Sequence, residues 1–228
     1  MNSNKNKYWD EEMLRNAANY RLNTLVSNYA RKICYSHFIL KMKPSENTTI
    51  VDIGTTSEIT LEANYLEKIY PFKKNINCCS LSDGVKIINA YPGVRHVKVE
   101  STKLPFNSKQ FDICYSNALL EHVGDSNSQK QLFNEMIRIA KRVYMMVLNR
   151  YFPIEHHTSL PFIHWLPKRI FRKILPKIGQ NFYSEEKNLN RISKSQLSMW
   201  TEKSKEFVVE TIGIGFGMFK WNLVIYKP

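Results

Sequence analysis

Long hydrophobic runs are missing from these 228 residues. No stretch approaches ~18 uninterrupted apolar positions, so no membrane-spanning helix is expected. The first residues, Met1 to Asp10, are polar and lack the apolar centre of a secretory signal, which makes the cytoplasm the expected compartment. Cysteine is scarce: Cys34, Cys78, Cys79 and Cys114 form no C-x-x-C pair, so neither a zinc site nor a disulfide framework is indicated. The four read as reduced, mostly buried thiols, with Cys78 and Cys79 facing opposite sides of a strand. Internal repeats and low-complexity tracts are also lacking. Acidic residues are outnumbered 20 to 33, for a net charge of +13. That excess suits anionic partners: nucleic acid, an acidic membrane surface or a phosphorylated small molecule. The plainer alternative is a Lys-rich surface reflecting genomic base composition.

What is present is an alternation of strand and helix signals. Residues 8–43 read as helical, with Leu14, Ala17, Ala18, Leu22, Leu25, Val26, Tyr29 and Ile33 at helical spacing and no Gly or Pro before Pro44. A β-branched run, Thr48 to Ile53, stops at Gly54 and is followed by a helical stretch from Ala63 to Ile69. Further strands fit Asn75–Leu81, Val94–Val99, Phe111–Ser116 and Val143–Leu148, separated by helical stretches at Val85–Ala90 and about Ser128–Ala140. Such alternation predicts a Rossmann-like α/β fold with a mostly parallel sheet and right-handed crossovers. After Arg150 the pattern changes. Residues 151–167 are rich in Pro, His and aromatics, 168–178 form a basic amphipathic segment, and Phe207 to Tyr226 suits a closing antiparallel hairpin.

In an open α/β sheet the ligand lies at the carboxyl ends of the strands, so the turn at Asp52-Ile53-Gly54 should meet a cofactor. More specific signals follow at fixed distances. They are Glu100-Ser101-Thr102-Lys103-Leu104-Pro105-Phe106, Phe111-Asp112 through Ser116-Asn117 to Glu121-His122-Val123, Glu135-Met136-Ile137-Arg138 and Asn149-Arg150. This series resembles the type 11 class I S-adenosylmethionine-dependent methyltransferases over about residues 48–150. Three further segments, Asn149 to Thr158, Leu160 to Pro167 and Glu186 to Asn190, resemble a subfamily found among bacterial surface-polysaccharide (capsule) genes.

The resemblance implies S-adenosylmethionine as cofactor, no metal, and a set of site residues. Asp52, Gly54 and Thr55 would line the methionine and ribose part of the cofactor. Ser80 and Leu81 end the second strand, Glu100 and Ser101 would meet the adenine, and Ser116 and Asn117 would sit beside the methionine moiety. Glu121 and His122 would cap the next helix, and His122 is counted with the cofactor site. Two departures stand out: Gly54-Thr55-Thr56-Ser57-Glu58 replaces a Gly-rich loop, and Ser80 stands where an acidic residue usually binds the ribose hydroxyls.

Methyl transfer from a sulfonium is governed by placement, and a hydroxyl acceptor also benefits from a base. His157 is the favoured base, with Glu155 orienting it or acting itself. Asn149, Arg150, His156, Thr158, His164 and Trp165 are the candidate substrate contacts. The chain is thus expected to divide into a helical extension or lid over 1–47 and a methyltransferase domain over 48–228, with a substrate-side insertion at about 151–195. The expected acceptor is an oxygen of a sugar, nucleotide sugar or phosphorylated intermediate of surface-glycan synthesis, an anionic small molecule or glycan, with no stable nucleic acid partner expected. The alternatives are an RNA methyltransferase and a non-catalytic binding protein that has kept the fold. Residues 168–178 suit either peripheral contact with an anionic membrane face or a solvated surface helix, the latter being preferred.

Overall fold

The computed structural model describes residues 20–228 apart from Ser159 and Lys203. Seven strands form one sheet: β1 (Ile50–Ile53), β2 (Ile76–Ser80), β3 (Arg95–Lys98), β4 (Phe111–Asn117), β5 (Ala140–Leu148), β6 (Val208–Ile212) and β7 (Asn222–Lys227). Their order is β3-β2-β1-β4-β5-β7-β6. The first five pair in parallel, whereas β7 runs antiparallel to both β5 and β6. The chain reverses its direction of travel across the sheet between β1 and β4, which opens a crevice at their carboxyl ends. The expected Rossmann-like α/β fold with a closing hairpin is what forms.

Helices cover both faces: α1 (Tyr20–Met42), α2 (Tyr65–Ile69), α3 (Val85–Ala90), α4 (Ser126–Ile139), α5 (Lys168–Ile174), α6 (Asn181–Ser184) and α7 (Lys194–Thr201). Strand pleating distributes the core between them. Val51, Ile53, Cys79, Cys114, Met145 and Val147 face α4, which contributes Leu132, Phe133, Met136 and Ile139. Ile50, Cys78, Ile113, Tyr115, Tyr144 and Met146 face α1, which contributes Cys34, Phe38 and Met42. Adjacent Cys78 and Cys79 thus point to opposite faces, and all four cysteines are free and buried.

α1 buries Ser27, Ala30, Cys34, Phe38 and Met42, a stripe stepping by three and four residues. The expected apolar positions that are described do not belong to it: Leu25 and Tyr29 are 61% and 58% exposed, because they project away from the sheet, and Val26 and Ile33 are half-buried beside it. Leu14, Ala17, Ala18 and the side chain of Leu22 lie outside the described residues. Phe38 anchors the helix by edge contacts with Tyr115 (5.0 Å) and Tyr144 (5.1 Å), which are themselves stacked at 5.9 Å. α4 starts two residues earlier than expected because Asp125 caps it, accepting from the Ser128 amide at 2.8 Å.

The segment between β5 and α7 straps across the strand ends. Buried amides hold it: Gln129 Nε2 donates to the carbonyls of Leu120 (2.9 Å) and Asn190 (2.6 Å), and the Asn190 amide donates to Glu121 O at 2.7 Å. Within the strap, the basic segment becomes α5 and a 3-10 turn, Leu175–Ile178. Phe171 and Leu175 are buried with Tyr183 and Leu189, while Ile170 and Ile178 remain exposed. Among the described residues no helix is long and apolar enough to cross a membrane.

Candidate active site

Two adjoining cavities open at the carboxyl ends of β1, β2 and β4, with Leu81 bordering both. The first, about 250 Å³, is floored by the β1 exit (Gly54, Thr55, Thr56, Ser57) and by Ser80, Leu81 and Ser82 after β2. Asn117, Ala118 and His122 come from the β4 exit, and His156, His157 and Tyr183 from the strap. Trp221 and Asn222 close it from the hairpin, and Ser27, Ala30, Arg31 and Cys34 wall it from α1. The second cavity, about 220 Å³, is an apolar slot of Ile53, Leu81, Val99, Leu104, Val123 and Leu132, rimmed by Glu100, Ser101 and Thr102.

The first turn is built for close approach. Gly54 sits at φ +103°, and a Cβ there would meet Leu119 at 3.0 Å. The Gly54 and Thr55 amides both donate to the Cys79 carbonyl, at 2.9 and 3.2 Å, which ties the turn to β2. Ser80 Oγ lies 2.8 Å from both Ser82 Oγ and His96 Nε2. His96 packs so tightly under Gly84 that a Cβ on that glycine would meet its ring at 2.1 Å. Burial pushes the His96 imidazole down.

At the other end, Glu155 is fully enclosed and organises the strap. Its Oε1 accepts from Arg191 and lies 3.0 Å from His157 Nδ1, and its Oε2 accepts from the Thr158 amide at 2.6 Å. Burial alone would raise this carboxyl, but Arg191 and His157 outweigh it and hold it well below the usual range. His157 Nε2 lies 3.1 Å from His122 Nε2, and His122 Nδ1 donates to the Asn188 carbonyl at 2.9 Å. Burial, then the neighbouring His157, lowers His122 to about 3. His156, edge-on to Trp221 at 5.1 Å, is likewise lowered to about 3, chiefly by burial.

Several expected site residues are elsewhere. Asp52 lines neither cavity: its carboxyl is buried on the α1 face against Glu67, where burial and then the Glu67 charge raise it well above the usual range. Ser116 is enclosed and braces β4 to β1 through a 2.8 Å bond to Ile53 O. Glu121 and His122 form a 3-10 turn rather than a helix cap, the cap being Asp125. Glu100, by contrast, does border a cavity: it is at the slot's rim, ion-paired with Lys98 at 3.0 Å. Of the six substrate candidates, only His156 faces the main cavity. Asn149 fastens the hairpin loop, donating from Nδ2 to Met218 O (2.8 Å) and Lys220 O (2.7 Å). Thr158 serves Glu155, and Trp165 stacks on Phe219 at 5.9 Å. Arg150 and His164 line a separate small cavity. The first part of the expected lid, residues 1–19, lies outside the described residues.

The residues at the crevice fit S-adenosylmethionine. The apolar slot matches a flat aromatic base, the polar rim its edge, and the tight Gly54 turn the backbone approach that a ribose and amino-acid tail require. Among the described residues no cluster of metal ligands occurs.

A family model described as a methyltransferase domain matches residues 51–143. A search of curated protein sequences finds no match. Among solved structures, a methyltransferase of Thermotoga maritima described as a possible histamine N-methyltransferase superposes with a TM-score of 0.60 at 19% identity, covering 96% of this chain and 98% of that one. The N-methyltransferase NodS of Bradyrhizobium japonicum, in complex with S-adenosylhomocysteine, gives 0.55 at 12% identity and 97% of both chains. A methyltransferase of Aquifex aeolicus gives 0.55 at 13%, covering 94% of this chain and 95% of that one. Residues 51–143 match a methyltransferase domain, and together with the class I methyltransferase fold this supports S-adenosylmethionine-dependent methyl transfer.

Proposed function

We propose that the chain methylates a hydroxyl of a small anionic acceptor, a sugar, nucleotide sugar or phosphorylated glycan intermediate, with His157 as base. The observation that carries this reading is the Arg191–Glu155–His157 series ending on the main cavity beside His122. Two ring nitrogens are fixed by their partners: His157 Nδ1 faces a carboxylate, and His122 Nδ1 donates to a carbonyl. With both Nδ1–H groups so committed, the two Nε2 lone pairs face the same space, and an acceptor hydroxyl arriving there donates to one of them. Bound S-adenosylmethionine supplies a methyl group already activated on sulfur. The acceptor oxygen takes the methyl as its proton passes to His157 Nε2, and Glu155 stabilises the imidazolium formed.

Arg31 supports an anionic acceptor: it walls the cavity, and its Nε is enclosed without a hydrogen-bond partner among the described residues. His156 and Trp221, which both line the cavity, supply uncharged aromatic rings of the kind on which sugar rings pack. The surface-glycan setting rests on the resemblance of the strap segments.

The test is turnover of S-adenosylmethionine with a methyl-13C label against sugars, sugar phosphates and nucleotide sugars, with small amines and RNA as comparison sets. A methyl ether on a hydroxyl acceptor supports the reading. Turnover confined to amines or to RNA overturns it.

A further inference from the structure

The strap carries a further cavity whose chemistry the methyl-transfer reading leaves unused. It is small, about 20 Å³, room for about one water-sized group. Four cations line it: Arg150 from the start of the strap, Lys168 and Arg172 from α5, and Arg191 from the strap's end. No carboxylate does; the acceptors that line it are amide and imidazole groups, Asn190 and His164.

The hydrogen-bonding ledger of these cations is incomplete. Arg172 pairs with Glu186 at 3.3 Å, and Lys168 donates to Asn190 Oδ1 at 2.6 Å. Arg191 has a side chain only 7% exposed and reaches Glu155 through Nη2 alone. Its Nε and Nη1 are enclosed and have no partner among the described residues. A buried guanidinium with two unmet donors calls for an acceptor. The cations also repel one another: burial first, then Arg172 and Arg150, pulls the Lys168 ammonium down against the opposing Glu186. An anion there would relieve both conditions.

We propose that Arg150, Lys168, Arg172 and Arg191 form a second site that takes a phosphoryl group, either free phosphate or the phosphate of a larger ligand. One oxygen enters to meet an unmet donor of Arg191, Nε or Nη1, and the remaining oxygens stay at the mouth among Arg150, Lys168 and Arg172, where the planar forks of the two other guanidiniums suit them. The site is distinct from the methyl-transfer cavity, with which it shares no lining residue. It is joined to that cavity through one side chain, because the third nitrogen of Arg191 holds Glu155 and Glu155 holds His157. Phosphate and Glu155 thus occupy different nitrogens of a single guanidinium, and occupancy stiffens the strap rather than competing for it.

The experiment titrates inorganic phosphate into the full chain by calorimetry and thermal shift, with sodium chloride matching the ionic strength. Wild-type protein and the double variant Arg150→Gln/Lys168→Gln are compared, and both are checked by S-adenosylhomocysteine binding. The expected result is saturable binding to the wild type, weakened at least tenfold in the double variant while S-adenosylhomocysteine binds both alike. Equal responses of the two proteins, or stabilisation matched by chloride, would overturn the proposal. If the double variant does not fold, Arg172→Gln, which alters a side chain partly open to solvent, replaces it under the same criteria. A parallel titration with a sugar monophosphate separates the sources. Binding tighter than phosphate assigns the site to a ligand's phosphate, and equal binding assigns it to the free ion. The outcome does not depend on any methyl acceptor being found.

Discussion

His157 Nε2 and His122 Nε2 face each other at 3.1 Å, although the two residues are 35 positions apart and belong to different elements. One is held by a carboxylate and the other by a backbone carbonyl, so neither ring is free to turn away. Replacing His157 by Ala is expected to lower kcat by about 10²–10⁴, the usual share of a positioned base. S-adenosylhomocysteine affinity should stay within about threefold, since the base is not counted as a cofactor contact. Rate measurements beside calorimetric titration decide this; parallel losses of rate and cofactor affinity would make His157 a packing residue.

Glu155→Gln leaves Arg191 buried without its charge partner. Breaking one side of an enclosed ion pair costs about 3–5 kcal/mol, and chemical denaturation should register a loss of that order. Glu155 is depressed in the folded state, so its stabilisation is complete above the ordinary carboxylate range and lost as pH falls through its folded value. The difference between wild type and variant should therefore shrink on acidification below about pH 4.

Asp52 and Glu67 should behave in the opposite sense. Both carboxyls are raised by burial, Asp52 the more strongly. Their contribution is full below the unfolded carboxylate value and lost as pH rises through the elevated folded values. Asp52→Asn, which holds a donor without charge, should gain on the wild type between pH 5 and pH 8 by on the order of 1 kcal/mol, or about 2–4 °C in Tm. A difference in Tm that does not change with pH would sink this.

Gly54→Ala places a side chain at φ +103° and against Leu119. A cost of about 1–3 kcal/mol is expected from the backbone alone. Because the same turn floors the main cavity, S-adenosylhomocysteine binding should weaken as well, by about tenfold or more. Normal binding by a less stable variant would separate the turn from the cofactor.

The fold was legible because it is written in periodicity. Strand-length β-branched runs stop at Asp, Gly and Ser, and each strand through β5 occurs within a few residues of where those signals put it. The ends are less legible: α4 begins at Ser126 because Asp125 caps it, a detail of one side chain. The lining of the cavity was legible in part. Residues at strand exits, such as Gly54, Leu81 and Asn117, line it because topology alone carries them there. Polar residues inside strands do not follow: Asp52 and Ser116 alternate into the core, and their partners, Glu67 and the Ile53 carbonyl, come from other elements. The strap was hardest. Asn149, Thr158, His164 and Trp165 look like contacts in the sequence and are fasteners in the structure, while Tyr183, Trp221 and Arg31 reach the cavity unannounced. Arg31 had one readable sign, a charged residue flanked by the small residues Ala30 and Cys34 on a helix's buried stripe.

β7 lies between β5 and β6 yet follows both in the chain. During synthesis on the ribosome, the five parallel strands can assemble while β6 waits with nothing to pair to. Until residues 222–227 emerge, the open side of β5 is a bare ladder of amides and carbonyls flanked by Met145, Met146 and Val147, which are all buried in the finished sheet. Insertion of one late strand then closes both gaps at once and carries Trp221 into place beside the cavity. Completion of the main cavity is thus tied to the most sequence-distant strand pairing among the described residues. A nascent chain arrested short of β7 is a candidate for edge-to-edge aggregation rather than a partly active enzyme.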